Sequence, residues 1–166
     1  MWWSRRGAVL AALAAAGCGF RPLHGRDGAA RTLAGRIAIG SVSRGPLPDR
    51  MVFHLRDALI RQLGVAHQPA WRLDLAISLT EKGLAITPDN AITRYSLTAS
   101  ADWKLHDIAS GAVILQGRAE SYSAYSATAT VYATRIAARD AERRLAEDLA
   151  QRVVTQILAR ADALAP

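Results

Sequence analysis

Disulfides are ruled out by composition, because Cys18 is the only cysteine in the 166 residues. The hydrophobic core must therefore hold the fold unaided, even in an oxidising compartment. A membrane-spanning helix is also missing from the N-terminus. The apolar run behind Arg5 and Arg6, Gly7 to Ala16, is ten residues long, whereas a span needs about 20. Catalytic signatures are absent too: no G-x-S-x-G elbow, no H-E-x-x-H pair and no phosphate loop occurs. The four histidines, His24, His54, His67 and His106, include no pair at the i, i+4 spacing of helical metal ligands. Asp102 and His106 fall on one side of a predicted strand, but four residues there span about 13 Å, too far for a dyad. The chain reads as a non-enzyme, with no cofactor and no metal site.

What is present begins with Met1-Trp2-Trp3-Ser4-Arg5-Arg6, a cationic leader followed by the short apolar run and then Ala15-Ala16-Gly17-Cys18. This arrangement has the length and flanks of a signal peptide. Small residues directly before a cysteine resemble the lipobox of bacterial lipoprotein precursors, in which the thiol is alkylated by diacylglycerol and the chain is cut just before it. The leucine usual three residues before the cysteine is replaced by Ala15, and Leu13 stands two residues further back. Alternatives are an ordinary signal peptide cut elsewhere, or a buried cysteine in an N-terminal helix. The Ala- and Gly-rich segment has no polar face with which to sit on a soluble domain, so lipidation of Cys18 is the better account. The acyl chains expected on a mature lipoprotein cysteine anchor it firmly, at roughly 0.8 kcal/mol per buried methylene. The expected organisation is a signal peptide over residues 1–17, a Gly-, Arg- and Pro-rich tether over 18–35 and one domain over 36–166.

Charge narrows the partners. Loss of Arg5 and Arg6 with the leader takes 21 basic residues to 19 against 14 acidic ones, and the net charge from +7 to +5. Apart from Lys82 and Lys104 the basic residues are arginine, which pairs with carboxylate or phosphate in a two-pronged geometry. Export behind a lipidated cysteine removes nucleic acid from consideration and leaves phosphorylated lipids. Plain solvated surface is the competing reading.

Periodicity supplies the elements. Residues 36–42 form a strand candidate, and Asp49 is placed to cap a helix ending at Leu63, with Val52, Leu55, Ala58, Leu59 and Leu63 on one face and Gly64 as its stop. Trp71 to Leu79 alternates strictly, after which residues 81–90, holding Gly83 and Pro88, break the pattern. Alternation resumes from Arg94: Tyr95, Leu97, Ala99, Ala101, Trp103 and Leu105 face one way. A turn at residues 107–111 leads to a partner strand beginning with Val113, Leu115, Gly117 and Ala119. The Ser- and Tyr-rich stretch 121–133 reads as a connection, followed by a long helix running to about Leu164. Its inner stripe includes Ala141, Leu145, Leu149 and Val153, and its outer face offers Arg143 with Glu147, Arg144 with Asp148, and Asp148 with Arg152. The order β-α-β-β-β-α predicts an α+β fold, two helices packed on one face of a four-stranded, largely antiparallel sheet in a two-layer sandwich. The other sheet face is broad and polar.

Cys18-Gly19-Phe20-Arg21-Pro22-Leu23, preceded by Ala-Ala-Gly, resembles the mature N-terminus of the LptE family, lipopolysaccharide-assembly lipoproteins of Gram-negative outer membranes. The family often continues with Tyr-Gly, where this chain has His24-Gly25. The element order, the Ser/Tyr-rich connection and the closing Ala/Arg-rich helix extend the resemblance over nearly all of residues 18–160. Gly19 in place of Asp is similar to lipoproteins passed on to the outer membrane. The resemblance implies a plug inside the lumen of an LptD-type outer-membrane barrel protein, anchored through lipid on the periplasmic side, and binding to lipopolysaccharide during its delivery to the surface. Barrel interiors are polar, so the sheet face has suitable chemistry for the wall. For lipid phosphates the candidates are Arg72, Arg94, Lys104 and Arg118 on strands and Lys82 in a loop. Two other readings stand beside this: an auxiliary lipoprotein of another envelope transport system, and an envelope hydrolase built from a Ser, His and Asp that meet only in the folded chain.

Overall fold

Alternation of apolar and polar residues puts one apolar face on each strand, and two helices with apolar stripes cover the sheet that results. In the computed structural model, residue 31 and residues 33–45, 48–86, 92–127 and 130–164 are described. The leader and Cys18 lie outside the described residues. The elements are β1 (Ile37–Arg44), α1 (Asp49–Leu63), β2 (Trp71–Ile86), β3 (Ile92–Asp107), β4 (Val113–Ser126), α2 (Val131–Leu158) and a final 3-10 turn (Ala161–Leu164). Strand order follows chain order, β1-β2-β3-β4. β2, β3 and β4 run antiparallel, whereas β1 lies parallel to β2, so the sheet is mixed. Parallel neighbours need a crossover, and α1 is that crossover.

Core positions follow the expected alternation on β2 and β3. Trp71, Leu73, Leu75, Ile77, Leu97, Ala99, Ala101, Trp103 and Leu105 are all buried. α1 adds Met51, Leu55, Ala58, Leu59 and Leu63; Met51, rather than the expected Val52, completes its inner face. Pro48 takes the cap position without a side-chain bond, and Asp49 becomes the first helical residue, where its carboxylate faces the positive end of the helix dipole. Gly64 ends the helix as expected, at φ 79° with its N–H on the Ile60 carbonyl at 2.9 Å.

Three boundaries move. β2 continues through the segment expected to break, reaching Ile86, because pairing with β3 from Leu97 to Ile92 carries it onward across a bulge after Gly83. β4 takes in residues 121–126 of the expected connection, in register with Arg94 to Ala99. α2 stops at Leu158 and its stripe is completed by the 3-10 turn, which buries Leu164. The expected pairs Arg143 with Glu147 and Arg152 with Asp148 form. Arg144 instead meets Asp140, since Asp148 is held by the Ser121 hydroxyl and Arg152.

Polar groups tie the layers together. Glu142 on α2 is buried and receives a two-pronged bond from Arg50 on α1. The Trp103 indole N–H donates to Gln156 Oε1 at 3.0 Å, and Gly117 makes room for it: a Cβ there would stand 2.7 Å from the Trp103 ring. Side chains from the helices, and Arg160 just after α2, also reach the outer strands' backbone. On β4, Arg160, Gln156 and Arg144 donate to the carbonyls of Gln116, Arg118 and Ala124 at 2.8, 3.0 and 3.4 Å. On β1, Arg56 donates to the Ile39 carbonyl at 2.9 Å.

Candidate functional site

The sheet face opposite the helices carries the residues picked out from sequence. Strand register sets them in rows across β2, β3 and β4: Asp74, Lys104 and Gln116; Ala76, Asp102 and Arg118; Ser78, Ser100 and Glu120; Lys82, Ser96 and Ala124. Arg72 pairs with His106, and Arg94 with Ser126. All five candidate cations, Arg72, Lys82, Arg94, Lys104 and Arg118, are exposed on this face. Lys82 belongs to β2, not to a loop, because β2 runs past it.

The face divides into a paired part and an unpaired part. Arg118 donates to Glu120 at 3.0 Å, to Asp102 at 3.3 Å and to the Ser100 hydroxyl at 3.1 Å. Its bond to Glu120 and the nearby Asp102 charge raise its pKa above the ordinary arginine value. Ser100 also shares a 2.8 Å bond with Ser78, extending the network across three strands. A second cluster centres on Asp74, which accepts from the Ser41 N–H at 2.7 Å, the Ser41 hydroxyl at 2.9 Å and Arg72 Nε at 3.1 Å. Partial burial pushes the Asp74 carboxyl up, but the two Ser41 bonds and Arg72 outweigh it and hold the group below its ordinary value. His106 Nε2 lies 3.4 Å from the same carboxylate.

This cluster closes an irregularity in β1. Between Ile39 and Val42 the register with β2 slips by one residue, and the freed Ser41 N–H is taken by Asp74. Gly40 allows the approach, since a Cβ there would sit 2.3 Å from Asp74 Oδ1. The glycine inside a strand pattern was the signal for this site; the role of Ser41 and His106 has no signature of its own in the sequence. Ser41 and His106 both contact Asp74, so the carboxylate stands between them and no Ser-His-Asp relay is formed.

Lys82, Arg94 and Lys104 have no carboxylate within ion-pair distance among the described residues. Lys82 and Arg94 are diagonal neighbours across β2 and β3, a separation of about 7–8 Å that lets both side chains reach one phosphate. Lys104 stands eight residues from Ser96 along β3, about 26 Å away, so the five cations do not form one pocket. Among the described residues no group of His, Cys, Asp and Glu is placed to hold a metal, and no helix is long and apolar enough to cross a membrane.

The fold resembles those of solved bacterial lipoproteins. A putative lipoprotein from Caulobacter crescentus matches at a TM-score of 0.61 and 24% identity, covering 83% of this chain and 98% of that one. Rare lipoprotein B from Shewanella oneidensis matches at 0.55 and 17%, covering 76% and 98%. A minor lipoprotein from Acinetobacter baumannii matches at 0.52 and 18%, covering 77% and 94%. No curated protein matches the chain by sequence alone. Residues 34–158 match the family model described as LptE, lipopolysaccharide-assembly. The chain belongs to the LptE family.

Proposed function

We propose that this lipopolysaccharide-assembly lipoprotein is lipidated at Cys18, held on the periplasmic side of the outer membrane, and works there as the non-catalytic partner of an LptD-type barrel. The domain occupies the barrel lumen with its polar sheet face toward the wall and binds lipopolysaccharide as it passes. One observation carries this reading: the open face is three long strands wide, and the charges of Arg72 and Arg118 on it are satisfied within the protein by Asp74, Asp102 and Glu120. Around Arg72 and Arg118 such a surface can lie against the polar interior of a barrel without burying an unpaired charge, which would be costly. Lipopolysaccharide phosphates would be met by Lys82 and Arg94, which have no internal carboxylate to compete for them among the described residues. Arg72 and Arg118 hold the face together instead.

Affinity purification of the full chain from detergent-solubilised membranes of its host tests the proposal. Recovery of the barrel protein in near-equal amount is expected, together with loss of correctly folded barrel on depletion. A purified chain free of any barrel, with an intact outer-membrane barrier after depletion, would refute it.

A further inference from the structure

The end of the domain at which the chain enters carries a group of features that the plug reading leaves unused. Leu33 is only 3% exposed and joins the core, so the polypeptide coming from residue 18 docks here. Backbone bonds stitch this end together: Gly35 N–H to the Leu63 carbonyl at 2.8 Å, Ala70 N–H to Arg36 at 2.9 Å, Ile108 N–H to Ala70 at 3.0 Å and Asp107 N–H to Ala112 at 2.9 Å. Three large apolar side chains project from these same junctions into solvent: Val65 is 62% exposed, Ile108 49% and Val113 46%.

Two guanidinium groups flank them. Arg36 lies 4.7 Å over the Trp71 ring, and Arg160 lies 5.8 Å over Trp103. Neither has a carboxylate partner among the described residues, whereas Asp107 at the same end is occupied by the N–H and hydroxyl of Ser110 at 2.7 and 2.8 Å. Arg160 gives one of its five N–H donors to the Gln116 carbonyl at 2.8 Å. Exposed apolar side chains beside ring-supported cations without carboxylate partners are the composition of a surface that lies in a lipid headgroup region.

We propose that, before a barrel takes the domain up, this end rests on the anionic lipid leaflet that holds the anchor, with Val65, Ile108 and Val113 at the acyl boundary and Arg36 and Arg160 on lipid phosphates. The inference depends on lipidation of Cys18. Cys18 and Leu33 are fifteen residues apart, at most about 50 Å when extended, so the leaflet stays within reach of this end. The opposite end also exposes apolar groups, including Tyr132 at 74%, but lies the length of β3 away, 16 residues or about 50 Å.

The test uses the full acylated chain in vesicles of phosphatidylethanolamine and phosphatidylglycerol. Lipidation consumes the natural thiol, so Ile108→Cys, Val113→Cys or Tyr132→Cys each gives one fluorophore site. Labels at 108 and 113 should lose emission to doxyl-labelled lipid and resist aqueous iodide, and the label at 132 should do the reverse. Protein that floats with vesicles yet leaves 108 and 113 as open to iodide as 132 overturns the inference and leaves the anchor standing. Protein that does not float overturns both. Shielding that arises only when barrel protein is added overturns leaflet contact in favour of a protein contact.

Discussion

The two faces of the sheet solve different problems with the same strands. The covered face is filled by volume: Trp103, Leu97, Leu105 and their neighbours are buried against α1 and α2, and space is so tight that position 117 must be glycine. The open face is filled by pairing, through Arg118 with Asp102 and Glu120 and through Asp74 with Ser41 and Arg72. Stability should therefore reside on one face and partner recognition on the other.

Substitutions that respect or violate this division test it. Trp103→Ala removes a buried ring and the indole bond to Gln156, and should cost about 3–5 kcal/mol in a denaturant melt. Gly117→Val forces a side chain into the same ring and should cost about 1–3 kcal/mol by overpacking. Glu142→Ala, which leaves Arg50 without its partner between the helices, should cost about 1–3 kcal/mol. A smaller loss for Trp103→Ala than for any open-face change would break the comparison. Changing Lys82 and Arg94 together to Ser should weaken lipopolysaccharide binding by about 1–3 kcal/mol at fixed salt and leave the melt unchanged. Arg118→Ser should leave that affinity unchanged, which would separate the paired from the unpaired cations.

Acid gives a finer probe. The carboxyls of Asp74 and Asp148 are held below the ordinary aspartate value of 3.8; at Asp148 partial burial acts upward, and Ser121 and Arg152 outweigh it. Groups with depressed native values contribute stability above the unfolded value and lose it as pH falls through the folded one. The urea midpoint should therefore drop as pH falls below the ordinary aspartate value of 3.8, and Asp74→Asn should flatten that drop. An identical pH profile in wild type and variant would show that the Asp74 cluster adds nothing.

The division between faces was legible because it depends on alternation alone. Leu97, Ala99, Ala101, Trp103 and Leu105 are buried as their spacing requires, and the four strand cations were assigned to the correct side. What depends on register was not legible. Residues 81–86 contain glycine and charge, and they become strand only because residues 92–97 run beside them. Ser121 to Ser126 look like linker for the same reason, until Tyr125 stacks on Tyr95 at 5.0 Å and donates to Glu81. Which cations are neutralised is also a register property: Arg118 faces Asp102 across β3, and Lys104 faces Gln116. Met51 and Val52 stand four and three residues before Leu55 and so border the same stripe; which of them is buried depends on packing, and it is Met51.

The donors that α1, α2 and the turn after α2 lay on the carbonyls of Ile39, Gln116, Arg118 and Ala124 have a consequence for the margins of the sheet. A sheet margin with bare backbone lets any stray strand add itself there. With those acceptors occupied by guanidinium and carboxamide groups, strangers find fewer open carbonyls to zip onto.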